Sequence, residues 1–161
     1  MKLCFAVLYT LVVVGSAGAQ ETAWWVTATF EPRDETVEGI PIAELHPDWV
    51  KASALRDAEL PHGAQEEGWR LADVGFALAV DADLDGDGVR ERAVVGVFQH
   101  RSGAKGRFLL ILGRKLWGTG WVKRALFSGE GEPGFSAVGF FEGCFLWVTC
   151  FACDVGHGDH S

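Results

Sequence analysis

The stretch Asp81-Ala-Asp83-Leu-Asp85-Gly86-Asp87-Gly88-Val89-Arg90-Glu91 decides how the surrounding chain folds. Acidic residues stand at alternate positions, and two glycines separate them. Proteins bind calcium through about six to eight oxygen ligands, and a tightly coiled loop can bring alternate carboxylates to one point. Glycine adopts the left-handed backbone that such a sharp turn requires. The pattern therefore predicts a calcium-binding loop; the alternative is a solvated acidic turn without metal.

Two reading frames fit this loop, and coordination chemistry favours the one that starts at Asp83. In that frame Gly88 takes the position of the sharp turn, and acidic residues take the first, third, fifth and ninth positions. A frame that starts at Asp81 places Val89 at the ninth position and Arg92 at the twelfth, and neither residue is acidic. An EF-hand would need a glutamate where Val94 stands, and helices on both sides, so the loop is predicted to be of another type.

Runs that are typical of β-strands flank the loop. Phe76–Asp81 enters it and Arg92–Phe98 leaves it, which predicts a strand, an acidic loop and a strand. Over about twenty residues this unit resembles the calcium hairpin of the FG-GAP (integrin α-chain) and VCBS repeat families. The resemblance implies a structural calcium ion. It also implies a set of ligands, namely the side chains of Asp83, Asp85, Asp87 and Glu91 and the main-chain carbonyl of Val89.

The rest of the chain is predicted to be mainly β, in the α+β class. Further strands are predicted at Trp24–Phe30, Arg107–Leu112, Trp121–Phe127, Phe135–Phe141 and Phe145–Phe151. Helix-forming residues after a proline predict a short helix at Pro47–Leu55. Short, glycine-bearing connections favour an antiparallel meander sheet with one short N-terminal helix and one calcium-loop hairpin. Apolar residues on both faces of the strands predict a covering layer.

The first nineteen residues are typical of a signal peptide. Lys2 precedes an apolar run, and small residues at 17 and 19 suit cleavage after Ala19. We expect residues 1–19 to be the signal peptide and residues 20–161 to be a single globular domain. The apolar run is shorter than the roughly 20 residues that span a bilayer, so we expect no membrane span. The protein is therefore expected to be exported, to a periplasmic or extracellular location.

The charge and hydropathy of the chain argue against two kinds of partner and against a disordered chain. The chain has 14 basic and 22 acidic residues and a formal net charge of −8. Such a charge disfavours nucleic acid or an anionic membrane as a partner. Hydrophobic residues make up 48% of the chain, which argues against disorder.

The C-terminal region contains a second candidate metal site. Cys150, Cys153, His157 and His160 could present two thiolates and two imidazoles to zinc or copper. Exported proteins meet oxidising conditions, so a disulfide is the competing interpretation. We favour a Cys150–Cys153 disulfide with Cys144 reduced, and keep the zinc or copper site as the alternative.

Other motifs carry weaker signals. The glycine-rich segment 129–134 matches a dinucleotide-binding spacing, but its two glutamates would repel phosphate, so we expect a turn. His46, His62 and His100 neighbour no evident nucleophile and are interpreted as surface residues. The seven tryptophans are interpreted mainly as core residues, with a platform for glycan or peptide as the alternative.

Together these patterns predict an exported small calcium-binding protein of the FG-GAP/VCBS-like type. Calcium would be structural, because a carboxylate-only loop offers no activated nucleophile. The protein would be a binding or structural module for an unidentified protein or glycan ligand, rather than an enzyme. The alternatives are an exported metal-handling protein that uses the Cys/His site and a small calcium-stabilised hydrolase that uses His100 or His62.

Overall fold

The computed structural model describes residues 24–61, 71–117, 119–141 and 144–149. These residues are mainly β and form antiparallel sheets, which confirms the predicted class. The elements in chain order are α1 (Trp24–Thr27), β1 (Thr36–Val37), β2 (Ile40–Pro41), α2 (Ile42–Leu45), β3 (Trp49–Ala54), β4 (Phe76–Ala77), β5 (Ala79–Ala82), β6 (Glu91–His100), β7 (Lys105–Arg114), β8 (Trp121–Glu130), β9 (Ala137–Phe141) and β10 (Cys144–Val148). Two 3₁₀ turns lie at Asp57–Glu59 and Leu71–Val74.

The largest sheet is built around the long strand β6. Strands β6, β7 and β8 follow one another as an antiparallel meander, as predicted. On its other side β6 pairs with two short strands in succession. Its first half pairs with β5, where Ala82 faces Glu91, and its second half pairs with β3, where Trp49 faces His100.

A three-stranded sheet with the order β10-β9-β4 packs beside the main sheet. The chain passes from one sheet to the other at Leu78. Before it, β4 pairs with β9; after it, β5 pairs with β6. The carbonyl of Leu78 accepts a hydrogen bond from the N–H of Val95 at 3.1 Å, which anchors the crossing point. The continuous strand predicted over Phe76–Asp81 is therefore divided.

The main sheet is buried on both faces because its strands are apolar on both. Val94, Phe98 and Phe108 belong to one core cluster, which the segment from Val37 to Leu45 covers. The residues that alternate with these along the strands belong to a second core cluster on the other face of the sheet, which Phe135 and β9 cover. They are Ala93, Val95, Val97 and Leu109. The prediction of a covering layer is confirmed.

The helix predicted at Pro47–Leu55 is wrong, since this segment contains β3. Its residues are adequate helix formers, but helix propensity differs by only about 0.7 kcal/mol between ordinary residues. Tertiary contacts exceed that difference. The Trp49 ring stacks on Phe98 with ring centroids 4.3 Å apart, and Ala52 is fully buried. A stacked aromatic pair alone contributes about 0.5–1.5 kcal/mol beyond area burial.

The strand predicted at Trp24–Phe30 is also wrong at its start, where the chain forms the single helical turn α1. The N–H of Ala28 donates to the carbonyl of Trp24 at 2.7 Å, and the Trp24 ring packs edge-on against Phe135. Only Thr29 forms a β-bridge, with Gly134. Both α-helices of the described ranges have four residues, and no helix there is long and apolar enough to cross a membrane.

Arg107 joins β7 to the chain beyond β8. Its Nε donates to the carbonyl of Glu132 at 2.9 Å, and its Nη1 donates to the carbonyls of Phe135 and Thr149. Burial lowers the pKa of Arg107 from its ordinary value, and the nearby Glu132 carboxylate opposes this change. The guanidinium therefore acts as a cross-link between segments that are distant in sequence.

Candidate metal centre

The acidic loop, residues 83–90, connects β5 to β6. Strand pairing ends where Ala82 faces Glu91, and the chain then leaves the sheet. The strand–loop–strand unit predicted from the flanking runs is present in the structure. Because Ala82 and Glu91 are paired in the same hairpin, the sheet holds the two ends of the loop close together.

Two glycines let the acidic loop coil. Gly86 and Gly88 have φ angles of 82° and 85°, in the left-handed region that favours glycine. Asp83 supports both turns, since its Oδ1 accepts the N–H of Gly86 at 2.7 Å and its Oδ2 accepts the N–H of Gly88 at 3.0 Å. An ionised carboxylate has about four acceptor positions, so these two bonds leave acceptor capacity on Asp83.

Shorter side-chain turns shape the second half of the loop. Asp85 Oδ1 accepts the N–H of Asp87 at 3.2 Å, and Asp87 Oδ1 accepts the N–H of Val89 at 2.7 Å. Such bonds from a carboxylate to the backbone two residues on are the usual way in which aspartate stabilises a turn. The aspartates therefore build the loop that carries them.

Three carboxylates converge at the base of the loop. Oxygen atoms of Asp83, Asp85 and Glu91 all lie within 4.8 Å of one another. Glu91 is the first residue of β6 and is buried, with 6% of its surface exposed. Its Oε2 accepts the N–H of Leu84 at 2.9 Å. The sheet thus holds Glu91 beneath the loop, and the coiled backbone brings the two aspartates to it.

The neighbouring cations are engaged elsewhere. Arg92 Nη1 donates to Asp81 Oδ2 at 3.0 Å, and Arg90 Nη2 donates to the carbonyl of Asp81 at 2.8 Å. In the parts of the chain that the structure describes, no Lys, Arg or His forms an ion pair with Asp83, Asp85 or Glu91. The three converging carboxylates therefore have no protein countercharge within these parts.

Such an arrangement is electrostatically costly without a cation. Two like unit charges 4.8 Å apart repel by about 1 kcal/mol in water, and by about 3.5 kcal/mol at an effective dielectric constant of about 20. The donor set consists only of oxygen, which suits hard cations such as calcium and does not suit soft metals. The residues present therefore fit a calcium ion.

The structure places the five predicted ligands in two groups. Asp83, Asp85 and Glu91 come together, whereas Asp87 is not part of the three-carboxylate cluster. One oxygen of Asp87 is hydrogen-bonded to the N–H of Val89. Val89 was predicted to contribute its main-chain carbonyl, and its side chain is half exposed. The predicted Gly88 turn is present, and Gly86 adopts a similar backbone.

The alternative C-terminal site lies outside the described residues. Cys150, Cys153, His157 and His160 are all in the segment 150–161, so their convergence stays a prediction. The backbone of Cys144 begins β10.

His100, one of the two histidines considered for a hydrolase, lies at the other end of the main sheet, where it faces Trp49. His100 Nε2 is 3.6 Å from Glu130 Oε1, and the His46 ring contacts both His100 and Trp49. A cleft of about 800 Å³ lies elsewhere, beside Leu55 and Leu78 and without His46 or His100 in its lining. His62 lies outside the described residues.

The interpretation of the tryptophans as core residues is right for Trp49 and wrong for Trp117. Trp49 is 4% exposed, whereas Trp117 and the adjacent Leu116 are 89% and 90% exposed. These two residues lie between β7 and β8; Trp117 was considered only as one of the seven tryptophans, and Leu116 was not considered. The signal that could have revealed them is the basic and aromatic composition of residues 114–124.

No protein-family model, curated protein or solved structure matches the chain. The resemblance to the FG-GAP and VCBS calcium hairpins therefore stays a prediction that rests on the residues of the hairpin itself.

Proposed function

We propose that this protein is an exported small calcium-binding protein of the FG-GAP/VCBS-like type, in which one calcium ion fixes the acidic loop. The observation that carries the proposal is the convergence of Asp83, Asp85 and Glu91 within 4.8 Å, with Glu91 buried. A divalent cation relieves the repulsion between these carboxylates and supplies the countercharge that the described residues lack.

The role of the ion in this proposal is structural. The cluster holds three carboxylates and no group that could serve as an activated nucleophile, so calcium stabilises the β5–β6 hairpin and with it one end of the main sheet. Asp83, Asp85 and Glu91 hold the ion, and the Val89 carbonyl and water complete the oxygen shell. The protein would then act as a binding or structural module whose loop is rigid when calcium is present.

The proposal includes export. Calcium outside the cell is abundant enough to occupy a site of low affinity. Extracellular modules bind calcium with dissociation constants of about 10⁻⁴–10⁻³ M. N-terminal sequencing of exported material should begin at Gln20, and a chain that still begins at Met1 would contradict the signal peptide.

Thermal unfolding with calcium and with a chelator tests the proposal. Metal that binds only the native state raises its stability by mass action, so the wild-type melting temperature should rise with calcium. Asp85→Ala should abolish most of that rise, while Asp48→Ala, at an exposed aspartate remote from the loop, should leave it intact. Equal melting temperatures of the wild type with calcium and with chelator would contradict the proposal.

A further inference from the structure

The basic residues of this acidic protein are concentrated in one part of the chain. Between Glu91 and Glu130 there is no Asp or Glu, yet this segment holds eight of the chain's 14 Lys and Arg residues. The formal net charge of −8, which disfavours an anionic membrane for the protein as a whole, therefore does not describe this segment.

Among the residues that the structure describes, the two most exposed large apolar side chains lie in the same segment. The β7–β8 tip, defined as residues 115–117 and 119–120, carries Leu116 and Trp117, which are 90% and 89% exposed. The N–H of Lys115 donates to the carbonyl of Gly120 at 3.2 Å and closes the base of the tip. Exposure of two adjacent large apolar side chains to water at the apex of a hairpin is unfavourable, and such a patch is typical of a surface that contacts a partner.

Four basic residues lie in the tip or close to it in sequence, and all four are exposed: Arg114, Lys115, Lys123 and Arg124. The Arg114 guanidinium carbon lies 4.0 Å from the centroid of the Trp121 ring, and Lys123 Nζ donates to the carbonyls of Glu44 and Leu45. Within the described ranges, none of the four forms an ion pair with an acidic side chain. Their positive charge is therefore not neutralised there.

We propose that the β7–β8 tip docks the protein on the surface of an anionic phospholipid bilayer. Leu116 and Trp117 enter the interface, and the positive charge of the four basic side chains attracts lipid phosphates. Tryptophan is favoured at the membrane–water interface, and Lys and Arg extend their charges from apolar surroundings to the headgroups. A soluble polyanion would bind the basic side chains but would leave Leu116 and Trp117 exposed to water. The two apolar side chains therefore favour a lipid surface as the partner.

The acidic loop lies at the same end of the main sheet as the tip. Ala82 faces Glu91, Arg92 faces Leu112 and Arg114 faces Trp121, so both connections leave the sheet at that end. They are about two strand spacings apart, roughly 10 Å, which is near the Debye length at physiological salt. The negative charge of the loop therefore acts on any bilayer that the tip contacts.

This arrangement makes docking sensitive to calcium, a corollary that rests on the proposed function. Asp83, Asp85, Asp87 and Glu91 offset the four basic side chains of the tip region. A bound calcium ion cancels two of the four negative charges and leaves this end of the sheet positive. Calcium should therefore strengthen binding to anionic vesicles and should have no effect on neutral ones.

Vesicle flotation of the full chain tests the docking surface. Vesicles of equal parts phosphatidylglycerol and phosphatidylcholine should bind the protein, and pure phosphatidylcholine vesicles should not. The double variant Leu116→Ser/Trp117→Ser should bind at least about tenfold more weakly, because burial of one such side chain accounts for about that factor. The second variant, Lys115→Glu, should also bind more weakly, by about fivefold or more.

Val50→Ser provides the matched control. Val50 is 42% exposed and lies near the opposite end of the sheet, where Trp49 faces His100. This variant should bind vesicles as the wild type does. The melting temperature of the double variant should also match that of the wild type, because both replaced side chains lie almost entirely in water.

Three results would overturn the docking surface. These are unchanged binding by the double variant, equal binding to neutral vesicles, and binding to heparin that matches vesicle binding and does not depend on Leu116 or Trp117. Calcium separates the two proposals. Vesicle binding could require Leu116 and Trp117 and yet be unchanged by calcium and by Asp83→Asn. That result would support the docking surface and would contradict only the calcium corollary.

Discussion

Replacement of Glu91 by glutamine should stabilise the calcium-free protein and weaken its response to calcium. Glu91 is repelled by Asp83 and Asp85, and at 4.8 Å each interaction costs about 1 kcal/mol in water and about 3.5 kcal/mol at an effective dielectric constant of about 20. Glutamine removes both repulsions and keeps an oxygen for the N–H of Leu84, although that hydrogen bond weakens by about 1 kcal/mol. We expect a net gain of about 1 kcal/mol or more, or roughly 3 °C in melting temperature.

Calcium should reduce or reverse the stability that Glu91→Gln gains over the wild type. With a dissociation constant of about 10⁻⁴–10⁻³ M, about 10 mM calcium stabilises the wild type by about 1.4–2.7 kcal/mol, or roughly 4–9 °C. A neutral glutamine is a weaker ligand than a carboxylate, and a tenfold loss of affinity would remove about 1 kcal/mol of that contribution.

Differential scanning calorimetry of both proteins, in chelator and in calcium, measures these effects. Glu44→Gln is the matched control, since Glu44 is exposed and its side chain forms no ion pair among the described residues. It should behave as the wild type in both buffers. A Glu91→Gln protein that melts lower than the wild type in chelator and keeps the full calcium response would refute the reasoning, because Glu91 would then be an ordinary structural carboxylate.

Two glycine substitutions test the backbone and the core by denaturant unfolding. Gly88→Ala should destabilise by about 1–2 kcal/mol and weaken calcium binding, because φ is 85° there while the space around a new Cβ is free. Gly96→Ala should cost about 1–3 kcal/mol or more, since its Cβ would overlap the Phe108 ring and the carbonyl of Ser53. Gly129→Ala, where the backbone is ordinary and a Cβ meets nothing within 4 Å, is the control for both and should be nearly neutral; equal destabilisation in all three variants would contradict the account.

The hairpin and the meander were predictable because their signals are local. Alternating acids, two glycines and apolar runs within about twenty residues specify the acidic loop and its strands. The β3 segment was not predictable, because its helix-forming residues become a strand only through contacts such as that between Trp49 and Phe98. The break at Leu78 likewise depends on pairing with two different sheets.

The candidate site was predictable in its composition and only partly in its geometry. The spacing of Asp83 and Asp85 brings them together within one coiled turn. The burial of Glu91 depends on the pairing of β5 with β6, and the sequence carries no direct signal for it. Asp87 shares the alternate spacing, yet its carboxylate bonds the N–H of Val89 and is not part of the cluster. Asp83, Asp85 and Glu91 accept backbone N–H groups as well, so such a bond does not by itself exclude a carboxylate from the cluster. Spacing therefore selects candidates, and the path of the folded loop decides which of them converge.

Calcium titration of the isotope-labelled protein, followed by NMR at the backbone amides of Gly86 and Gly88, measures binding at the acidic loop itself. Both N–H groups donate to the carboxylate of Asp83, so a calcium ion held by that carboxylate must change their resonances. We expect saturable shifts with a dissociation constant of about 10⁻⁴–10⁻³ M. The shifts should be lost in Asp83→Asn and retained in Glu44→Gln. Resonances of Gly86 and Gly88 that stay fixed throughout the titration of the wild type would contradict the proposed calcium site.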